Sequence, residues 1–192
     1  MAQVNSKKII ISLDLSTSTG YAVFTGNKLG DYGTLVSKAE DFNVNNYPEK
    51  SKKYPYNIVN AANEMGSQVD TLVQKYKPDW IIIENTVRGK NRNTQRILEF
   101  VHKSVLDVLK DKYEKKIKYL DPSEWRKLLD LKMSKDDLKH NKEVRLGKAR
   151  GKLTRKHLSV RMVNEQYDLG LKLKDDDIAD AICLGMAFLK TL

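Results

Sequence analysis

The sequence predicts an α/β fold: a mixed five-stranded sheet, three antiparallel strands and then parallel ones, flanked by helices. Three observations carry this expectation. Short, mostly β-branched apolar runs recur at Lys8 to Leu13, Tyr21 to Thr25, Trp80 to Ile83 and Ile117 to Leu120. Only turn-forming residues separate the first extended segments, so these open as an antiparallel meander. From there, strands alternate with segments of helical periodicity, and such crossovers join parallel strands.

Residues 7–14 are short and continuously apolar up to Asp14, the pattern of a buried strand. Ser16 to Gly20 is turn chemistry, and Tyr21 to Thr25 resumes as a strand. After the Gly26-Asn27 turn comes a third strand over residues 28–36, with Gly30 and Gly33 marking bulges or bends. Residues 37–56, rich in Asn and Lys with Pro48 and Pro55, read as a long loop or insertion. Ile58 to Tyr76 carries apolar residues at helical spacing, and Pro78 marks its end. Trp80 to Glu84 is a buried strand, and Arg88 to Asn93 a basic loop. Asn93 or Thr94 caps a helix running to about Tyr113, with Ile97, Val101, Val105 and Val108/Leu109 facing inward. Ile117 to Leu120 is a short strand, and Pro122 suits the first turn of a helix containing Trp125, Leu128 and Leu129. Residues 132–157 are the most basic part of the chain, either a solvated helical face or an arm that orders on a partner. Helices over Leu158 to Tyr167 and Asp177 to Leu189 complete the order. No internal repeat or linker interrupts residues 1–192, so a single domain is expected, with insertions at 37–56 and 132–150.

A net charge of +10 predicts attraction to polyanions and says nothing of fold. The single cysteine, Cys183, lies in an apolar helical stretch and reads as core filler, which fits a reducing, cytoplasmic setting. His102, His140 and His157 are scattered and form no zinc pattern. The N-terminal residues lack the apolar core of a signal peptide, and no apolar run approaches the roughly 20 residues that span a bilayer, so no membrane partner is expected.

The chemistry is expected from acids at the ends of apolar segments. Asp14 closes the first strand, Glu84 closes the strand Trp80 to Glu84, and Asp177 and Asp180 open the last helix. Carboxylates so placed are costly unless a cation sits among them, and a hard divalent ion such as Mg²⁺ takes several converging oxygen ligands. Asp177 and Asp180 share a helix face, but so do Asp176 and Asp180, and spacing does not choose between them. Asp175 and Asp176 also suit a helix N-terminus for its dipole alone. On a basic chain the pattern points to metal-dependent chemistry on a nucleic acid.

These pieces together resemble the RuvC-type Holliday junction resolvases, and most closely their bacteriophage branch. The matching segments are Ile11-Ser12-Leu13-Asp14-Leu15-Ser16 with Thr19-Gly20-Tyr21-Ala22, Trp80 to Glu84, Tyr119 to Lys127, and Asp177-Ile178-Ala179-Asp180-Ala181. The resemblance implies an RNase H-like fold, a homodimer, and Mg²⁺ or Mn²⁺, two ions per active site, bound by Asp14, Glu84, Asp177 and Asp180. It selects Asp177 over Asp176, makes Asp14 the bridging ligand, and puts Lys127 near the scissile phosphate, with Lys156 or Arg155 as a second basic position. Where many members carry a stacking aromatic three residues after the glutamate, this chain has Val87. The implied activity is hydrolysis of four-way junctions and other branched DNA, with no nucleotide cofactor. Arg88, Lys90, Arg92 and Arg96 would position phosphates beside the metals, and Arg126, Lys127, Arg155 and Lys156, with the rest of 132–157, would form a second track. The apolar candidates for the dimer interface lie between Thr94 and Leu109. Two other readings compete: a non-catalytic branched-DNA-binding protein, and a fragment of a sugar-kinase-like ATPase, whose phosphate-binding opening Leu13 to Gly20 also resembles.

Overall fold

The computed structural model describes residues 8–37, 54–86 and 92–192. Its centre is one five-stranded sheet of order β3-β2-β1-β4-β5, formed by β1 (Ile9–Asp14), β2 (Ser18–Thr25), β3 (Lys28–Val36), β4 (Trp80–Glu84) and β5 (Ile117–Leu120). The first three strands pair antiparallel, while β4 runs parallel to both β1 and β5. The mixed sheet expected from the sequence is therefore present, with one correction at a boundary. Ser18, Thr19 and Gly20 are the start of β2 and not turn residues, because Gly20 pairs with Asp14 across the hairpin. The turn is tightened instead by Ser16, whose hydroxyl donates to the Ser18 carbonyl at 2.8 Å, and by Thr19, whose hydroxyl donates to the Ser16 carbonyl at 2.8 Å. Of the two glycines suspected of bulging, Gly30 is the extra residue where the β2–β3 register slips. Gly33 lies opposite Tyr21, whose ring comes within 3.0 Å of where a Cβ would stand.

Alternation along the central strands divides the core in two. Ile11, Leu13, Ile81 and Ile83 face α1 (Tyr56–Tyr76) and α2 (Arg92–Tyr113). The two helices meet closely at Gly66, where a Cβ would stand 2.6 Å from the Ser104 hydroxyl. On α2, Val101, Val105 and Leu109 are buried as expected, but Val108 is 40% exposed. Ile10, Phe24, Ile82 and Leu120 face the other way, onto α3 (Pro122–Leu128), α5 (Arg155–Tyr167) and α6 (Asp176–Leu189). The basic stretch between α3 and α5 holds a further helix, α4 (Lys135–Arg145), capped by Ser134 and Asp137 in a reciprocal box. Cys183 is fully buried in the α6 layer, as its apolar setting predicts.

Candidate active site

By strand alternation, Asp14 falls on the same sheet face as Ile10 and Ser12, and Glu84 on the same face as Ile82. The parallel register pairs Leu13 with Ile83, so the next residues, Asp14 and Glu84, are neighbours at the carboxyl ends of adjacent strands. This is where ligands gather in sheets of this kind. Two small residues fasten α6 across that end. A Cβ on Gly20 would overlap the backbone carbonyl of Asp177, so only glycine lets β2 approach the first turn of α6 this closely. The buried Ser12 hydroxyl donates to the Ala181 carbonyl at 2.7 Å, fixing the helix one residue beyond Asp180. Gly185 completes the seat, since a Cβ there would collide with the Phe24 ring.

Asp14, Glu84 and Asp177 line one cleft of about 290 Å³, together with Leu15, Ser16, Leu98 and His102. Asp14 keeps some surface open to it, yet burial is the largest cause holding its carboxyl well above the ordinary 3.8, followed by Glu84, Asp180 and Asp177. Burial likewise raises Glu84, Asp177 and Asp180. For Glu84 this is opposed by Trp125, whose indole Nε1–H donates to Oε2 at 2.7 Å, and by the Arg126 guanidinium. Arg126 stacks 4.3 Å from the Trp125 ring centroid and ends 3.9 Å from the Asp180 carboxylate. The other Asp180 oxygen, Oδ1, is buried without a hydrogen-bond partner. The Ser159 hydroxyl lies near enough to temper Asp180 electrostatically, although it makes no well-formed hydrogen bond.

The structure separates the two aspartates that spacing left equivalent. Asp177 faces the cleft, while Asp176 is ion-paired to Lys156. Among the described residues no group of three or more acidic, histidine or cysteine side chains forms a ready-made cage for an ion. Asp14, Glu84 and Asp177 line the cleft, while Asp180 is not among its lining residues and faces Arg126. Like charges in this set repel one another, and Arg126 and Lys156 are the nearby positive charges.

The basic residues divide similarly. Arg126, Lys127 and Arg155 line a second pocket of about 380 Å³ with Ser123, Asp130, Leu131 and Lys132. Lys127 is thus placed beside the carboxylate cleft and not within it; its neighbour Arg126 is the residue that reaches Asp180. Arg92 and Arg96 are exposed at the start of α2. Arg88 and Lys90, like Val87, lie outside the described residues.

Three contributors escape sequence reasoning. Trp125 looks like core, and only its indole N–H hints at a polar partner. His102 and Leu98 reach the cleft from α2 beside the stripe of Val101 and Val105. Burial lowers the His102 pKa to about 4, so the ring is neutral near pH 7, with Nδ1 3.3 Å from the Tyr119 hydroxyl.

No protein-family model matches the chain, and no curated protein sequence matches it. Solved structures do. Thermus thermophilus RuvC in complex with a Holliday junction substrate superposes with a TM-score of 0.60 at 11% identity, over 95% of this chain and 93% of that one. A second Thermus thermophilus RuvC structure gives 0.57 at 12% identity, over 95% of this chain and 93% of that one. The yeast mitochondrial Holliday junction resolvase Ydc2 gives 0.54 at 13% identity, over 98% of this chain and 80% of that one. The chain therefore has the RNase H-like fold found in RuvC and in the yeast resolvase.

Proposed function

We propose that this protein is a metal-dependent endonuclease that resolves four-way DNA junctions, and accepts other branched DNA, by hydrolysing phosphodiester bonds. The observation that carries the reading is Asp14: a recessed carboxylate at a strand end, raised by burial and by Glu84, Asp180 and Asp177 around it. Such a set suits divalent cations, because added positive charge favours the ionised form of each carboxylate. The buried, unpartnered Oδ1 of Asp180 is a free oxygen ligand of the kind a hard ion takes. Asp14, Glu84, Asp177 and Asp180 would hold two Mg²⁺ or Mn²⁺ ions. When bound, such ions favour ionisation of an attacking water and stabilise the leaving oxygen.

The remaining roles belong to the chain itself. Trp125 orients Glu84 through its indole N–H, and leaves the other carboxylate oxygen available. Arg126, clamped on the Trp125 ring, offers its guanidinium to a phosphate next to Asp180. Lys127, Arg155 and Lys156, with Arg92, Arg96, Arg88 and Lys90, would hold the DNA backbone in register and carry no sequence readout. The reaction breaks one P–O ester bond of the DNA and forms one from phosphorus to the water oxygen; the water gives up one proton and the leaving sugar oxygen takes one up, which leaves a phosphate end and a hydroxyl end. A homodimer joined through α2 would set two such sites against two opposed strands.

The test is a gel assay of four-way junction, fork and plain duplex with Mg²⁺ or Mn²⁺, wild type beside Asp14→Asn. The expected result is cleavage of branched substrates by wild type, and binding without cleavage by Asp14→Asn. Undiminished cutting by the variant removes the metal-ligand role, and a wild type that binds no DNA removes the function.

A further inference from the structure

The segment after α3 is an ordered arm with a strongly cationic outer face. Its helix, α4, turns Asp137, His140, Asn141 and Val144 inward, and the first three make polar contacts there. Asp137 is 6% exposed and paired with Arg161 of α5 at 2.9 Å. The Asn141 amide grips the following loop at both the N–H and the carbonyl of Leu153, at 2.8 and 3.0 Å. His140 Nε2 meets the Gly151 carbonyl at 2.9 Å. The opposite face carries Lys135, Leu138, Lys139, Lys142, Arg145 and Leu146, all exposed. Their spacing places them on a single stripe with no acid among them. Among the described residues none of these four cations is in an ion pair. Lys148, Arg150 and Lys152, also exposed, extend the charge along the tethered loop. Lys132, which precedes α4, lines the second pocket with Arg126, and Arg126 reaches the Asp180 carboxylate.

We infer that the outer face of α4 is a docking surface for the phosphate backbone of a DNA duplex arm, away from the branch point where cutting occurs. The inference rests on the proposed DNA substrate and goes further by naming the surface and the part of the substrate it holds. Four cations fixed on one helix face match a polyanion of regular spacing, and being ordered in advance they bind at little cost in chain entropy. Asp137 faces inward, and Asp136 and Glu143 border the stripe beside Lys139, so the centre of the outward face is cationic.

The experiment compares wild type with the variant carrying Lys135→Gln, Lys139→Gln, Lys142→Gln and Arg145→Gln. Binding to a labelled four-way DNA junction is measured across a salt series, with long arms and with arms trimmed stepwise. The log–log salt slope on long arms should flatten by about 3 to 4, at about 0.9 per lost phosphate contact. The difference should vanish on trimmed arms, and the single-turnover cleavage rate at saturating protein should stay at the wild-type level. Replacing the three lysines by arginine should keep the wild-type slope. Lysine acetylation of unaltered protein gives a second readout: Lys135, Lys139 and Lys142 should be protected by long-armed junctions. An unchanged slope or unchanged acetylation, with a wild type that binds and cuts, overturns the inference and leaves the endonuclease reading standing. A slope difference that persists on trimmed arms, or a lost cleavage rate at saturation, also overturns it. A wild type that binds no DNA removes both.

Discussion

Asp14 shows how one residue can be both a structural burden and the centre of a site. Its folded-state pKa is raised, so its ionisation favours the unfolded chain. The penalty is absent below the ordinary value near 3.8, grows as pH rises, and is complete above the folded pKa. Asp14→Asn should therefore raise the melting temperature of the metal-free protein at pH 7, by roughly 2–4 °C per kcal/mol relieved in a chain of this size. That gain should shrink towards nothing as the pH is lowered past 4. Added Mg²⁺ should reverse the order by stabilising wild type more than the variant. Calorimetry across pH with and without Mg²⁺ checks all three, and a variant no more stable than wild type at pH 7 contradicts the burden assigned to Asp14.

At the scale of elements, α6 and α4 are attached by different physics. The α6 helix is apolar, seated on the sheet through Gly20, Gly185 and Ser12, so its acids are held by packing. The α4 helix is tethered to its surroundings through Asp137, Asn141 and His140, so its attachment is polar and sensitive to charge. Arg161 and the Ser134 cap hold the Asp137 pKa down at about 2. A depressed carboxyl contributes stability that is fully present above its unfolded value near 3.8 and lost as pH falls towards 2. Between pH 4 and pH 2 the arm should thus loosen, and proteolytic cleavage in the 147–153 loop should rise with an acid-stable protease. Arg161→Ala should show that cleavage already at pH 5, with far less dependence on pH. An Arg161→Ala arm as resistant as wild type would mean that the Asp137 pair does not hold it.

Charge and shape act on the whole molecule. The net charge of +10 is unevenly spread: Asp14, Glu84, Asp177 and Asp180 stand near one another, and cations are dense on α3, α4 and the start of α5. On the proposed function, a polyanion would be drawn along these cations towards a cleft that would repel it until cations are added. The outer side of α2 offers Phe100 and Val108, 36% and 40% exposed, as the apolar patch on which a second copy would pack. Phe100→Asp should yield monomers in sedimentation velocity and leave α2 folded. On four-way junctions it should accumulate single nicks, because paired incisions need two linked sites. A variant that remains dimeric moves the interface elsewhere.

The sequence by itself determined the sheet and its candidate acids, because burial and pairing leave strong local traces. Ile9-Ile10-Ile11 and Ile81-Ile82-Ile83 admit few structures other than central strands, and an acid closing each run marks its end. The charge of residues 132–157 was equally plain, but its conformation was not, since capping by Ser134 and Asp137 and the Asn141 grip are paid back only when the arm is assembled. Contacts between elements distant in the chain were decided by tertiary structure alone. Spacing left Asp176 and Asp177 equivalent, whereas in the fold Asp176 is paired with Lys156 and Asp177 lines the cleft. Nor could it join Trp125 to Glu84, 41 residues apart, or bring His102 to the cleft. Periodicity records which side of an element is buried, whereas the partner it meets there depends on how the whole chain packs.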